Sequence, residues 1–188
     1  MAKRIGVLAV QGAFAEHEAM LGALGAVCHE LRKASDLEEK PDGLVLPGGE
    51  STVQRKILME SGMFSPIRSW IGEGMPVLAT CAGLILLAEH LSNDARTCFE
   101  TLPVTVRRNA YGRQLGSFIA EAKVRHIGTM RQNFIRAPYI EQVSPEVEVL
   151  SETEGHITAV RYKNQLALSF HPEVGHDTRL HEAFLRMI

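Results

Sequence analysis

Two segments far apart in the chain carry residue types that together can transfer an acyl group. Cys81 lies in Thr-Cys-Ala-Gly at residues 80–83, between an apolar run typical of a strand and one typical of a helix. His171 and Glu173 flank Pro172 near the other end of the chain. A thiol, an imidazole that takes its proton and a carboxylate that orients the imidazole form a nucleophilic triad. The sequence therefore predicts Cys81, His171 and Glu173 as catalytic residues.

The setting of Cys81 distinguishes it from an ordinary buried cysteine. At a strand-to-helix turn the sulfur lies near a helix N-terminus, where the macrodipole and free N–H groups stabilise a thiolate. Ala82 and Gly83 are small enough for the sharp turn of a nucleophile elbow, although Ala79 stands where elbows often have glycine. Cys28 and Cys98 have no such setting, and we expect them to be core or surface thiols.

Pro172 favours extended backbone at the preceding residue. Because side chains at i and i+2 of an extended segment point to the same side, His171 and Glu173 can face one site. A metal site is the alternative, since His171, His176 and His181 recur every five residues. That spacing does not bring three imidazoles to one helix face, and we expect no metal.

Pro-Gly-Gly-Glu-Ser at residues 47–51 follows a short apolar run. One interpretation is a tight turn that leads into a helix. The other is an oxyanion hole, in which Gly48 and Gly49 expose backbone N–H groups alongside that of Ala82. Phosphate binding is less favoured, because neither a Walker lysine nor a G-x-G-x-x-G pattern is present.

Strand and helix patterns alternate in the first half of the chain, which predicts a parallel sheet covered on both faces. We predict a single domain, residues 1–188, that forms a three-layer α/β sandwich with a mostly parallel central sheet and an added antiparallel or mixed portion. Predicted strands are residues 5–10, 26–31, 43–46, 75–80, 104–106, 117–124, 133–135, 147–151, 157–162 and 166–170. Predicted helices are 13–24, 51–60 (capped by Ser51 or Thr52), 82–91 and 178–187.

The composition is that of an ordinary globular chain of 188 residues, with 45% hydrophobic and 22% charged residues. A formal net charge of −2 gives no drive toward nucleic acid or an anionic membrane. Three cysteines imply no disulfide framework, and neither a signal peptide nor a bilayer-spanning apolar run is found. We expect a soluble, cytoplasmic protein.

Several segments together resemble the class I, triad-type glutamine amidotransferases, and more narrowly the glutaminase subunits of pyridoxal 5′-phosphate synthase. They occur in the expected order over nearly the whole chain. Arg-Asn-Ala-Tyr-Gly-Arg-Gln at residues 108–114 and Phe-Ile-Arg-Ala-Pro at 134–138 separate this group from other amidotransferase glutaminases. The remaining segments are residues 6–12 with Glu16 and His17, 46–52, 80–88 and 169–173.

The resemblance implies a flavodoxin-like fold and the hydrolysis of glutamine to glutamate and ammonia. Cys81 would attack the side-chain amide and form a γ-glutamyl thioester, His171 would move the proton, and Glu173 would hold His171. Residues implied in glutamine binding are Gly49, Glu50, Ser51, Arg108, Ile135 and Arg136. Glu50 would accept the substrate ammonium, and one of the two arginines would bind the carboxylate.

The resemblance also implies a partner, since ammonia in this family passes to a separate synthase subunit, a (β/α)₈ barrel, in a hetero-oligomer. Partner docking would arrange the oxyanion loop, and Gln11 matches a residue linked to that activation. No cofactor is implied for this chain.

Three alternatives remain open from the sequence. The chain resembles glutaminases of other synthases less well, because of the segment at residues 108–114. A non-catalytic docking or regulatory subunit would not be expected to keep Cys81, His171 and Glu173 intact. A cysteine peptidase or chaperone of similar fold would not need the loop at residues 47–51.

Overall fold

The computed structural model describes residues 1–111 and 116–188. Within them the chain forms strands β1 (Arg4–Leu8), β2 (Val27–Leu31), β3 (Gly43–Leu46), β4 (Val77–Thr80), β5 (Ala88–Leu91), β6 (Leu102–Arg107), β7 (Ser117–Val124), β8 (Gly128–Ile135), β9 (Tyr139–Val143), β10 (Glu148–Thr153), β11 (His156–Tyr162) and β12 (Gln165–Leu168). The α-helices are α1 (Phe14–Ala23), α2 (Ser51–Glu60), α3 (Phe64–Gly72), α4 (Ala82–Leu87) and α5 (Arg179–Leu185). None of these helices is long and apolar enough to cross a membrane.

One large sheet takes strands from both halves of the chain, in the order β2-β1-β3-β4-β12-β11-β9-β6-β5. The pairs from β2 through β12 are parallel, as is the pair of β5 with β6. Strand β11 pairs antiparallel with β12, β9 and β10, and β9 pairs antiparallel with β6. Strands β7 and β8 form a separate antiparallel hairpin.

The sheet is covered on both faces because its central strands are apolar on both sides. In β3, Leu44 and Leu46 pack into a core with apolar side chains of α2, α3 and α4. Val45 points the other way, into a second core shared with Leu21 of α1 and Phe184 of α5. The predicted three-layer α/β fold is confirmed.

Several parts of the chain differ from the predicted elements. The helix predicted over residues 82–91 ends at Leu87, and Ala88–Leu91 continues as β5 paired with β6. A continuous apolar run does not reveal where a helix changes to a strand, because both are buried. Helix α3 and strand β9 were not predicted, and both have short apolar patterns.

The segments that carry the predicted triad, the loop at residues 47–50 and Gln11 follow neighbouring parallel strands, whereas Arg108 follows β6 and Ile135 ends β8. Gln11 lies after β1, the loop at residues 47–50 after β3, Cys81 after β4, and His171 after β12. Since β1, β3, β4 and β12 are adjacent and parallel, these segments meet at one edge of the sheet. This is where open α/β sheets bind their ligands.

Candidate active site

Cys81 occupies a sharp turn between β4 and α4. Its backbone has φ 48° and ψ −100°, a conformation that L-residues seldom adopt, and its N–H donates to the carbonyl of Leu168 at 2.8 Å. A Cβ at residue 83 would overlap the carbonyl oxygen of Leu46, so only glycine fits there. The turn has the geometry of a nucleophile elbow, with the thiol at the start of a helix.

His171 and Glu173 lie together and are both buried. The Nδ1 of His171 is 2.6 Å from the Oε1 of Glu173. Burial acts to lower the pKa of His171, but hydrogen bonding with Cys81 and Glu173 raises it to about 10. Burial acts most strongly on Glu173 and would raise its pKa, but the hydrogen bond from His171 and the interactions with the rings of His17 and His171 together lower it. His171 is therefore hydrogen-bonded to Glu173 and lies close enough to Cys81 for the thiol to influence its pKa.

The glycine loop packs directly on His171. A Cβ at residue 48 would overlap the ring of His171, which explains the need for glycine. The N–H of Gly48 donates to the hydroxyl of Thr80 at 3.0 Å, and its carbonyl accepts from Ala13 at 3.1 Å. The N–H of Gly48 is thus already used, contrary to the prediction that it is free for an oxyanion. The N–H of Ala82, in the first turn of α4, has no acceptor within its own helix.

Gln11 fixes the far side of the same loop. Its Oε1 accepts the N–H of Glu50 at 2.6 Å, and its backbone carbonyl accepts from the side-chain amide of Gln54 at 2.8 Å. Gly49 has φ +156°, and a Cβ there would overlap the Oε1 of Gln11. Gln11 and the loop therefore form one interlocked unit.

A pocket of about 390 Å³ opens beside the thiol. The residues predicted for glutamine binding all line it: Gly49, Glu50, Ser51, Arg108, Ile135 and Arg136. Gln11, Gly48, Cys81 and His171 line it as well, while Ala82 and Glu173 are buried behind its wall. Ala13, Ile85 and Asn109 also line the pocket, and the sequence assigned no role to them.

Glu50 and Arg108 form a charged pair on the pocket wall. Arg108 donates to Asp94, to the hydroxyl of Thr52 at 3.0 Å and to the Oε1 of Glu50 at 3.3 Å. Glu50 also caps α2 by accepting the N–H groups of Thr52 and Val53, so the predicted caps Ser51 and Thr52 were wrong. Burial acts to raise the pKa of Glu50, and these donors lower it.

Ile135 and Arg136 close the pocket above the thiol. The carbonyl oxygen of Ile135 is 4.0 Å from the sulfur of Cys81. Arg136 has φ 43°, its side chain is exposed, and it makes no ion pair with the part of the chain that the structure describes. Gly112, Arg113 and Gln114, which complete the segment beginning at Arg108, lie outside the described residues.

Comparisons with known proteins agree over nearly the whole chain. A profile of the SNO glutamine amidotransferase family matches residues 7–188. A pyridoxal 5′-phosphate synthase subunit PdxT from Desulfitobacterium hafniense is 58% identical over 98% of this chain and 93% of the relative. A subunit of the same name from Methanocorpusculum labreanum is 54% identical over 98% and 97%. A crystal structure of a glutamine amidotransferase superimposes with a TM-score of 0.92, at 39% identity over 97% of both chains.

Proposed function

Because the chain belongs to the SNO glutamine amidotransferase family, we propose that it is the glutaminase subunit of a pyridoxal 5′-phosphate synthase. It hydrolyses L-glutamine to L-glutamate and ammonia, and the ammonia passes to a synthase subunit. The names of the relatives support this setting. The observation that carries the proposal is the pocket itself, which has a buried thiol at its base and the Glu50–Arg108 pair on its wall.

The charged pair suits the head of a free amino acid. Arg108 is clamped by Asp94 and Thr52, so its remaining N–H groups are already oriented toward a carboxylate. The carboxylate of Glu50 accepts three hydrogen bonds and has about four acceptor sites, which leaves one for an ammonium group. We assign the substrate carboxylate to Arg108 rather than to the exposed Arg136. Gly49, Ser51, Ile135 and Arg136 then enclose the rest of the substrate.

The chemistry follows from the triad. His171 holds the thiol proton, as its raised pKa favours, and the sulfur of Cys81 forms a bond to the side-chain amide carbon of glutamine. His171 returns that proton to the amide nitrogen as the carbon–nitrogen bond breaks, which releases ammonia and leaves a γ-glutamyl thioester. Water, deprotonated by His171, then attacks the thioester and releases glutamate and the thiol. Glu173 stays ionised and stabilises the imidazolium.

The oxyanion that forms in each step needs hydrogen-bond donors. In its present arrangement the loop at residues 47–51 does not supply all of them. Ala82 supplies one N–H, and Gly48 and Gly49 are the predicted source of others. The N–H of Gly48 donates to Thr80, the N–H of Ala13 donates to the Gly48 carbonyl and the N–H of Glu50 donates to Gln11, and these bonds hold the loop in its present arrangement. We propose that docking of a barrel-shaped synthase subunit rearranges these bonds, with Gln11 as the contact that changes. The free subunit then hydrolyses glutamine slowly.

Three free thiols, among them the buried Cys81 and Cys98, also support a cytoplasmic location for this chemistry.

An electrophilic glutamine analogue tests the site without the partner. We expect a single covalent adduct on Cys81, detected by peptide mass spectrometry and prevented by excess glutamine. Cys98 is the internal control, because burial raises the pKa of its thiol to about 12 and makes it unreactive. Labelling mainly on Cys28 or Cys98 would contradict the assignment of the nucleophile.

A further inference from the structure

Two fully buried histidines lie behind Glu173 and outside the pocket. The Nε2 of His17 is 3.4 Å from the Oε2 of Glu173 and 3.2 Å from the Oγ1 of Thr80. The Nδ1 of His17 is 2.9 Å from the Nε2 of His181. Among the described residues, nothing makes a hydrogen bond to the Oε2 of Glu173, and the ring of His17 is the polar group that faces it.

We propose that His17 is a positioning residue, which donates its Nε2–H to Glu173 and is itself oriented by the Nε2–H of His181. This inference rests on the proposed glutaminase function, because Glu173 acts there by holding His171. With Oε1 bonded to His171 and Oε2 facing His17, the carboxylate cannot rotate without losing a contact. His17 thereby fixes the orientation of the ring that moves the proton.

The groups that face the ring nitrogens of His17 and His181 decide which nitrogen of each ring carries the proton. If the Nδ1 of His17 carried the proton, His181 would have to carry its own proton on Nδ1, which is buried and has no partner. That nitrogen has no partner with either tautomer, so it does not decide between them. The bare Nε2 of His17 would, however, face the Oε2 of Glu173 across 3.4 Å and leave that buried acceptor without a donor, which costs about 1–3 kcal/mol. That arrangement would let Thr80 donate to His17, a gain of only about 1 kcal/mol. The tautomer with Nε2–H on both rings is therefore favoured.

Both rings are neutral, as this arrangement requires. Burial lowers the pKa of His17, and it lowers that of His181 to about 3. At His17, Glu173 and Glu16 act against this shift and His171 acts with it, and burial outweighs the two carboxylates. A neutral donor holds the carboxylate without competing for its charge, so the attraction between Glu173 and the His171 imidazolium is kept.

The Nε2 of His17 also connects the triad to the glycine loop, through the hydroxyl of Thr80. Thr80 accepts the N–H of Gly48 through the hydroxyl that faces His17. Thr80 directly precedes Cys81, so one threonine contacts the loop, the histidine pair and the nucleophile turn. A loss of the His17 donor is thus expected to affect turnover rather than the pocket wall that binds glutamine.

Two substitutions at residue 17 separate donation to Glu173 from simple filling of space. An asparagine amide occupies the place of Nδ1 and a glutamine amide that of Nε2, so His17→Asn loses the donor to Glu173 whereas His17→Gln can keep it. We expect His17→Asn to lower kcat for ammonia release about 10- to 100-fold with KM within about twofold, because a misoriented base costs that much. His17→Gln should recover most of the loss. His29→Asn, a half-buried histidine on β2, is the matched control and should change neither constant.

The assay uses the chain together with its synthase subunit, and the wild-type complex is the reference. Absence of ammonia release by wild type would contradict the proposed function. Proton NMR of the chain alone then tests the positioning role of His17. The short hydrogen bond from His171 to Glu173 gives a far-downfield proton signal. We expect His17→Asn to abolish that signal and His17→Gln to restore it. If His17→Asn does not fold, His181→Asn replaces it, with the same fall in kcat expected. Unchanged kcat and an unchanged signal in the folded variant would overturn the inference.

Discussion

Arg108 is the side chain that best tests what the pocket binds. Its guanidinium is held by Asp94 and Thr52 and lies 3.3 Å from Glu50. We expect Arg108→Gln to raise KM for glutamine about tenfold or more, since an oriented charged hydrogen bond contributes about 1.5–3 kcal/mol, and to lower kcat less. Steady-state ammonia release measures both constants.

Arg107→Gln is the matched control for that substitution. Arg107 is the preceding residue, is exposed, and pairs with Glu141 on the neighbouring strand. We expect its KM to equal that of wild type. Equal KM values for the two variants would show that Arg108 does not bind the substrate carboxylate.

Residue chemistry was partly predictable from the sequence. Cys81, His171 and Glu173 were predicted because a turn and a proline fix where their side chains point, and the structure places them together. His17, His181 and Thr80 were not assigned roles, because a buried polar partner is recognised only when elements far apart in sequence are packed together. The use of Gly48 by Thr80 was unpredictable for the same reason.

At the scale of elements, the turn between β4 and α4 decides whether the thiol is presented at all. A methyl group at residue 83 would overlap the carbonyl of Leu46 at the end of β3. We expect Gly83→Ala to lower the free energy of unfolding by about 2–4 kcal/mol, because backbone must move to relieve the overlap. Urea unfolding of the free chain measures this.

Gly22→Ala provides the comparison within the same chain. Gly22 lies in α1, and a Cβ there has no heavy atom within 4 Å. This variant should gain up to about 1 kcal/mol, since alanine favours a helix over glycine. Destabilisation of the same size in both variants would contradict the close packing of α4 on β3.

Element boundaries were predicted well where capping or turn residues mark them. Helix α2 was predicted at Ser51–Glu60 as observed, although its cap is Glu50. The change from α4 to β5 at Ala88 has no such mark, because the apolar run through Leu87 suits either structure. Pairing with β6 favours the strand over the helix, and this pairing is a tertiary contact.

At the scale of the whole molecule, the two core histidines make stability depend on pH. Burial lowers the pKa of His181 to about 3, whereas its value in the unfolded chain is near 6.5. As pH falls below 6.5, the unfolded chain binds a proton that the folded chain does not, so the free energy of unfolding falls. His171 affects the free energy of unfolding in the opposite sense. Its stabilising contribution is complete below pH 6.5 and is lost as pH rises toward 10.

A substitution isolates the part due to His181. From pH 7 to pH 5, the titration of His181 should lower the free energy of unfolding of the wild type by about 2 kcal/mol. His181→Gln has no titrating group at this position and should not show that decrease. Urea unfolding of both proteins at the two pH values gives the difference. Parallel pH profiles would mean that His181 binds its proton equally well in the folded and the unfolded chain.

We expect Cys81 to produce ammonia from glutamine, and to do so efficiently only with a synthase subunit docked. The direct measurement is ammonia release from glutamine by wild type and by Cys81→Ala, each with and without that subunit. We predict slow release by wild type alone, much faster release with the subunit, and none from Cys81→Ala in either case. Full activity of Cys81→Ala would contradict the mechanism, and equal wild-type rates with and without the subunit would contradict activation by the partner.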